Sequence, residues 1–404
     1  MLAKPKMERK KKLRIAMLIE AWKPIWAGGQ VHVWELCKRL VNDYNCEVDL
    51  FVMDLKDNCP DKKKNDCNYP KQESHFNNKL NIFRIGKQCQ PYFSHRLKWC
   101  WRVIKLIKNK HKKKKYDLIH AHANLPGLPG KILSKKLNIP LVYTVHGCGL
   151  KAITDMYGKS LKSKILYFTE NILQTKIRYN SEITVDSSFL KYKNINNNIQ
   201  VIPNGVDIEK YDEVKAKKSD KFKIIFVGRI HPQKGLTYLL DALNIIKNGN
   251  PLNLKNVEVH IIGSGELERR LKQKSQVLGL NEIIKFRGKI YGEELIREYK
   301  SAHLFVLPSL YEGQPLTLLE AWAAKLPVIV TDVGGNKDFI ITDENGYIIP
   351  AKNVKELAQT LLKVINNKNL KNMGEKGYKL VKENYTWDKM VEKVFDVYIK
   401  TMVS

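Results

Sequence analysis

Short runs rich in Ile, Val and Leu alternate along this chain with longer stretches of helical period. In the first half "LRIAMLI", "EVDLFVM", "LNIFRI", "DLIHAH", "PLVYTVH", "EITVDS" and "IQVIP" read as buried strands. "FKIIFVG", "VEVHIIG", "IIKFRG", "HLFVLP", "PVIVTD" and "GYIIP" do the same in the second. Such runs, bounded by Gly or Pro and separated by helices, predict parallel sheets covered on both faces. Crossovers between parallel strands are right-handed, so each half is expected to be an α/β, Rossmann-like doubly wound layer structure.

The 404 residues fit two such domains. Pro203, Asn204 and Gly205 punctuate the chain before a polar stretch, which sets the domains at 1–205 and 206–382. Residues 383–404 form an amphipathic helix with Trp387, Met390, Val391, Val394, Phe395 and Tyr398 as its apolar stripe. The segment from Asp54 to Lys79 is polar and without pattern, and is expected to be an exposed, structureless insertion.

Composition narrows the class. Hydrophobic residues make up 43% of the chain, enough for a core in each half. No apolar run approaches the ~18–20 residues that span a bilayer. The start is read as a basic tail leading into a first buried strand, since its apolar part, Ile15 to Ile19, is too short for a secretory signal. The seven cysteines lie between Cys37 and Cys148 without a CxxC pair, which suits reduced thiols in a cytosolic protein.

The net charge of +30 is uneven. The first 205 residues carry 39 Lys and Arg against 16 Asp and Glu, the remainder 32 against 25. Either the sequence is simply Lys-rich, or its first half meets something anionic: a phosphate-bearing substrate, a lipid headgroup surface or nucleic acid. Between Arg96 and Lys115 there are ten Lys and Arg and no acid, with Leu97, Cys100, Trp101, Ile104 and Ile107 at helical spacing. The expectation is a stripe packed on the first sheet beneath solvated lysines. The competing reading sets Trp99 and the lysines against anionic headgroups.

Candidate chemistry follows the strands, because open α/β sheets bind ligands beyond the strands' carboxyl ends. Gly28 and Gly29 precede a helix, whose free N–H groups suit an anion, although loop glycines more often only make a turn. Arg229 and Lys234 bring a fork and a mobile charge, the pair a diphosphate wants. Gly263 and Gly265 make a turn that reads equally as a platform for a nucleotide base, and Lys289 and Ile290 form a similar loop. In "YEGQPLTLLEAWA", Glu312 sits before a helix opened by Pro315 and Leu316, and Glu320 lies about two turns in. Gly313 removes bulk that would keep a ligand from the backbone, and Gln314 stands beside it. Two carboxylates can clasp vicinal hydroxyls, and with the cations they match a sugar joined to a nucleoside diphosphate. His146 ends a first-half strand and opens onto the same cleft. No metal-binding pair stands out, so no metal is expected and the diphosphate charge falls to Arg229, Lys234 and helix dipoles.

In "AGGQVHVWELCKRL", "DLIHAH", "VYTVHG", "IPNGVD", "VGRIHPQKG", "IIGSGELERRL", "LPSLYEGQPLTLLEAWA" and "PVIVTDVGG", nearly the whole chain resembles the family 4 glycosyltransferases, retaining enzymes of the GT-B fold. Glu312 with Glu320 matches the family's E-x7-E motif. The resemblance implies two domains facing a central cleft and a C-terminal helix that crosses back to the first. It gives Glu312 the donor sugar hydroxyls and Glu320 the ribose. Arg229 and Lys234 take the diphosphate, Gly28 and Gly29 its distal phosphate, and His146 a place beside the transferred sugar. Gly263, Gly265, Ile290, Gly313, Gln314, Pro315 and Leu316 complete the donor site. The donor is then a UDP- or GDP-linked hexose with no separate cofactor, and the acceptor an anionic or lipid-linked molecule. The expected setting is cytoplasmic, with peripheral contact at the inner membrane face through Arg96 to Lys115, and no specific nucleic acid. A nucleotide-sugar epimerase shares the layout but not the E-x7-E helix. A basic nucleic-acid- or membrane-binding protein rests on charge alone.

Overall fold

The computed structural model describes residues 12–55, 69–89, 93–147, 161–192, 194–367 and 370–403. The first sheet holds β1 (Arg14–Ile19), β2 (Glu47–Leu55), β3 (Gln72–His75), β4 (Leu80–Cys89), β5 (Leu118–His122), β6 (Leu141–Val145), β7 (Ser181–Thr184) and β8 (Ile199–Val201). Their order is β3-β4-β2-β1-β5-β6-β7-β8, parallel except where β3 runs against β4. The second sheet holds β9 (Phe222–Val227), β10 (Val257–Ile262), β11 (Ile284–Gly288), β12 (Leu304–Leu307), β13 (Val328–Thr331) and β14 (Tyr347–Ile349). It is parallel throughout, in the order β11-β10-β9-β12-β13-β14.

Both sheets are doubly wound, and β5, β6, β10, β12 and β13 are buried at every residue. Helices on both faces leave no solvated side, so these strands are continuous apolar runs rather than alternating ones. The winding reverses between β1 and β5 in the first sheet and between β9 and β12 in the second. Those switch points are where such sheets open a crevice.

The helix Trp387–Val403 lays its stripe onto the first domain, where Met390, Val394 and Phe395 share a core with Val33, Leu36 and Leu40 of the helix Gly28–Asn42. Tyr398 Oη lies 2.6 Å from His120 Nδ1 on β5. The two passages between domains run side by side, with Val206 N donating to Tyr385 O at 2.9 Å.

Two expectations change. The polar segment after Asp54 is not wholly structureless, because Gln72–His75 adds an antiparallel edge strand to β4. Its short, polar sequence has one face in solvent and no apolar signal. Residues 56–68 of that segment lie outside the described residues. In the helix Phe93–Lys113, the buried side is Trp99, Cys100, Val103 and Ile107, while Trp101 is 67% exposed and Leu97 45%. Trp99 and Trp101 are about 200° apart around a helix, so only one of them can face the sheet. Cys37, Cys46 and Cys100 are free and buried. Among the described residues no helix is long and apolar enough to cross a membrane.

Candidate active site

The loops leaving β9 and β12 meet at the mouth of the second sheet. Lys234 Nζ donates to Glu312 Oε1 at 2.5 Å, and Ser309 Oγ donates to the same oxygen at 2.6 Å. Ser309 and Glu312 are almost fully buried, and Thr331 Oγ1 holds the Ser309 carbonyl at 2.5 Å. Arg229 stands exposed beside this pair, with its Nη2 3.4 Å from Gln233 Oε1. Gln233 Nε2 in turn donates to Tyr311 O at 2.9 Å. A buried carboxylate, an ammonium and an exposed guanidinium thus converge at the topological switch point.

Pro315 lies immediately before the helix Leu316–Ala323 rather than inside its first turn. Glu320 is therefore the fifth helical residue, a little over one turn in and not two. Its Oε2 accepts the Tyr299 hydroxyl at 2.9 Å. Burial raises the Glu320 carboxyl above its ordinary range, and the tyrosine bond opposes that rise. Thr317 Oγ1, in the first turn, is buried and has no partner among the described residues.

Gly263 and Gly265 do not offer an open platform. A Cβ on Gly263, whose φ is +130°, would sit 1.9 Å from Gly228 O, and one on Gly265 would sit 2.3 Å from Ile230 O. Their bare backbones let the β10 loop pack against the β9 loop, where Ile230 N donates to Ser264 O at 3.0 Å. Gly263 N reaches Gly288 O at 2.7 Å, tying in the loop that carries buried Ile290. The effect is to hold Arg229 at the crevice.

Across the crevice the domains touch. A Cβ on Gly313 would lie 2.8 Å from His146 O and 3.0 Å from Gly147 Cα. The space beside Gly313, expected to admit a ligand, is filled by the first domain's backbone. Leu316 packs against the first domain's core and lies near Gly28, while Gly29 faces the His146 ring. Gln314 bonds the linker with two of its groups: its Oε1 accepts from Asn204 N, and its carbonyl accepts from Asn204 Nδ2 at 3.2 Å. Its Nε2 is buried without a partner among the described residues.

His146 is not alone. Its Nε2 lies 3.1 Å from His122 Nδ1, and its ring is 4.7 Å from that of His32. His32 Nδ1 bonds Asn204 Oδ1 at 2.8 Å. Burial pushes all three imidazoles down, His32 to about 4 and His122 and His146 well below the usual range. Among the described residues these three form the group able to hold a metal ion, with nitrogens within 4.8 Å of one another. One hydrogen bond joins two of them and the third is held by Asn204, while His32 Nε2 and His122 Nε2 are buried without a partner among the described residues.

Two family models cover most of the chain. "Glycosyltransferase Family 4" matches residues 26–210 and "Glycosyl transferases group 1" matches 207–380. An uncharacterized glycosyltransferase of Methanocaldococcus jannaschii is 31% identical over 303 residues, which cover 73% of this chain and 79% of that one. The chain belongs to the family 4 glycosyltransferases. Also similar is the UDP-Gal:α-D-GlcNAc-diphosphoundecaprenol α-1,3-galactosyltransferase of Escherichia coli, 29% identical over 72% of this chain and 78% of that one. Sucrose-phosphate synthase of Thermosynechococcus elongatus has the same fold, with a TM-score of 0.81 at 20% identity over 97% of this chain and 100% of that one. The GT-B architecture is thus that of the glycosyltransferase, and the epimerase and nucleic-acid readings give way to it.

Several residues of this glycosyltransferase's cleft escape a linear reading. Asn204 reads as turn punctuation, yet it bridges His32 and Gln314. His32 and His122 sit inside apolar segments with nothing to mark them. Asp186, after β7, keeps Oδ2 buried and unpaired near Gly313, and burial raises its carboxyl. Only the alternation of a polar residue at a strand's carboxyl end could have drawn attention to His122 or Asp186.

Proposed function

We propose that this glycosyltransferase moves a hexose from a UDP- or GDP-linked donor to an acceptor in the cleft, with retention and without a metal. The Lys234–Glu312 pair at the switch point carries the reading. In this pair each charge satisfies the other. A donor sugar would give Glu312 hydroxyls to accept, and its diphosphate would take Lys234, with Arg229 alongside. The start of the helix Leu316–Ala323, with Thr317 Oγ1 unpaired, adds donors for phosphate oxygens. Glu320 would take the ribose. The charge of the leaving group is then met by fixed cations and a helix end.

Transfer breaks the bond from the anomeric carbon to the phosphate oxygen and forms one to the acceptor hydroxyl on the same face. The departing phosphate takes the hydroxyl's proton. His146, held neutral, can orient a sugar by hydrogen bonding but cannot serve as a cationic acid near neutral pH. The UDP-sugar named for the Escherichia coli relative supports a nucleotide sugar here. Thermal shift with UDP, GDP and their sugars tests this: a ligand of the folded state raises Tm. No shift with any of them would remove the donor assignment.

The helix Phe93–Lys113 favours a peripheral bilayer contact as well, because Trp101 and Leu97 stand in solvent beside the exposed Lys98 and Lys105. Flotation with anionic vesicles at two salt concentrations tests it, and binding indifferent to salt, or none, counts against it.

A further inference from the structure

β2 and β4 end side by side in the first sheet, next to β1 and the Gly28–Gly29 loop. A cavity of about 120 Å³ opens at their carboxyl ends. That is well above the ~10–15 Å³ one water needs. Met53, Ile85 and Trp99 give it an apolar wall, and Lys87, Lys98 and Arg102 give it three cations. No carboxylate lines it.

The charges there are uncommitted. Arg96 spends its fork on Glu20, at 2.5 and 2.8 Å, and Lys71 pairs with Asp54. Lys87, Lys98 and Arg102 have no ion-pair partner among the described residues. His95, Lys98 and Arg102 fall at i, i+3 and i+7, on one face of the helix. A Cβ on Gly86 would sit 3.4 Å from Arg102 Nη1, so the guanidinium lies against the end of β4. Trp99 is 1% exposed, and its Nε1 has no acceptor. A buried N–H ordinarily has one.

We propose that this pocket binds a phosphate or diphosphate on the acceptor, with the apolar wall against the group esterified to it. β4 lies two strands from β1, roughly 10 Å at the usual strand spacing, and the helix start at Gly28–Gly29 follows β1 on the same carboxyl edge of the sheet. That separation lets one acceptor present a hydroxyl in the cleft while its phosphate is held here. The proposal rests on the cleft transferring a sugar, and it gives the excess charge of the first domain a specific task.

Calorimetry with inorganic pyrophosphate tests it on the full chain. The donor site also suits a diphosphate, so the background is the double variant Arg229→Ala/Lys234→Ala. Binding should persist there and weaken about tenfold or more when Lys98→Ala and Arg102→Ala are added, two charge-assisted contacts being lost. No binding in that background, or binding indifferent to the added changes, would overturn the proposal. The donor reading fails separately, if Arg229→Ala/Lys234→Ala leaves UDP and GDP affinity unchanged. Farnesyl diphosphate tells the sources apart: tighter binding than pyrophosphate indicates a lipid-linked acceptor, and equal binding a soluble phosphate. Lys98 and Arg102 are exposed, and unchanged melting of the variants confirms that folding is intact.

Discussion

Lys234 and Glu312 come from loops 78 residues apart in sequence and meet at 2.5 Å on the floor of the crevice. Both are mostly buried, with 14% and 7% of their side chains exposed. Breaking the pair leaves one charge buried without its partner. Glu312→Ala should abolish transfer, since it removes the carboxylate paired with Lys234, and cost roughly 1–3 kcal/mol of stability through the orphaned Ser309 and Lys234. Near-normal turnover in this variant would show that the sugar is held elsewhere. Lys234→Ala should likewise abolish transfer and weaken nucleoside diphosphate binding.

Gly313 and Gly147 bring backbone to backbone across the cleft. Gly313→Ala places a methyl group 2.8 Å from His146 O, closer than real Cβ contacts allow. The domains must then part, and transfer should fall by about tenfold or more, as misplacement by ~1 Å can cost far more than that. Each domain's own core is untouched, so Tm should move little. Small-angle scattering should report a more open molecule, and wild-type scattering together with wild-type rate would contradict this role.

His32, His120, His122 and His146 are neutral when folded, because burial disfavours their charged forms. In the unfolded chain each titrates near 6.5. Below that pH the unfolded state binds more protons, so stability falls with pH from about 6.5 towards the folded value, about 4 for His32. Tm should therefore drop between pH 7 and 5, before most carboxylates titrate. His32→Gln should flatten that slope, and a Tm constant over this range would refute the neutral cluster.

Asn204 bonds His32 with one end of its side chain and the Gln314 carbonyl with the other. Asn204→Ala leaves two buried groups without a partner and should cost roughly 1–3 kcal/mol. The loss should appear as a lower Tm and a weaker grip on the donor, with the substrate specificity unchanged.

The sequence by itself determined the two doubly wound sheets and the charged loops that face each other. Apolar runs at strand length, broken by Gly and Pro, can only be buried in parallel sheets, and parallel sheets bind at their carboxyl ends. The E-x7-E spacing was legible too, since both carboxylates lie within one short loop-and-helix stretch. What lay beyond the sequence were relationships between elements far apart in the chain. Gly313 reads as room for a ligand until Gly147 fills it, and nothing near Gln314 in the chain shows that Asn204 bonds it. Trp99 and Trp101 are interchangeable in a list, and only the helix's seat on the sheet decided which one is buried. Local periodicity reports what must be covered, whereas the partner that covers it is fixed when the domains close on each other.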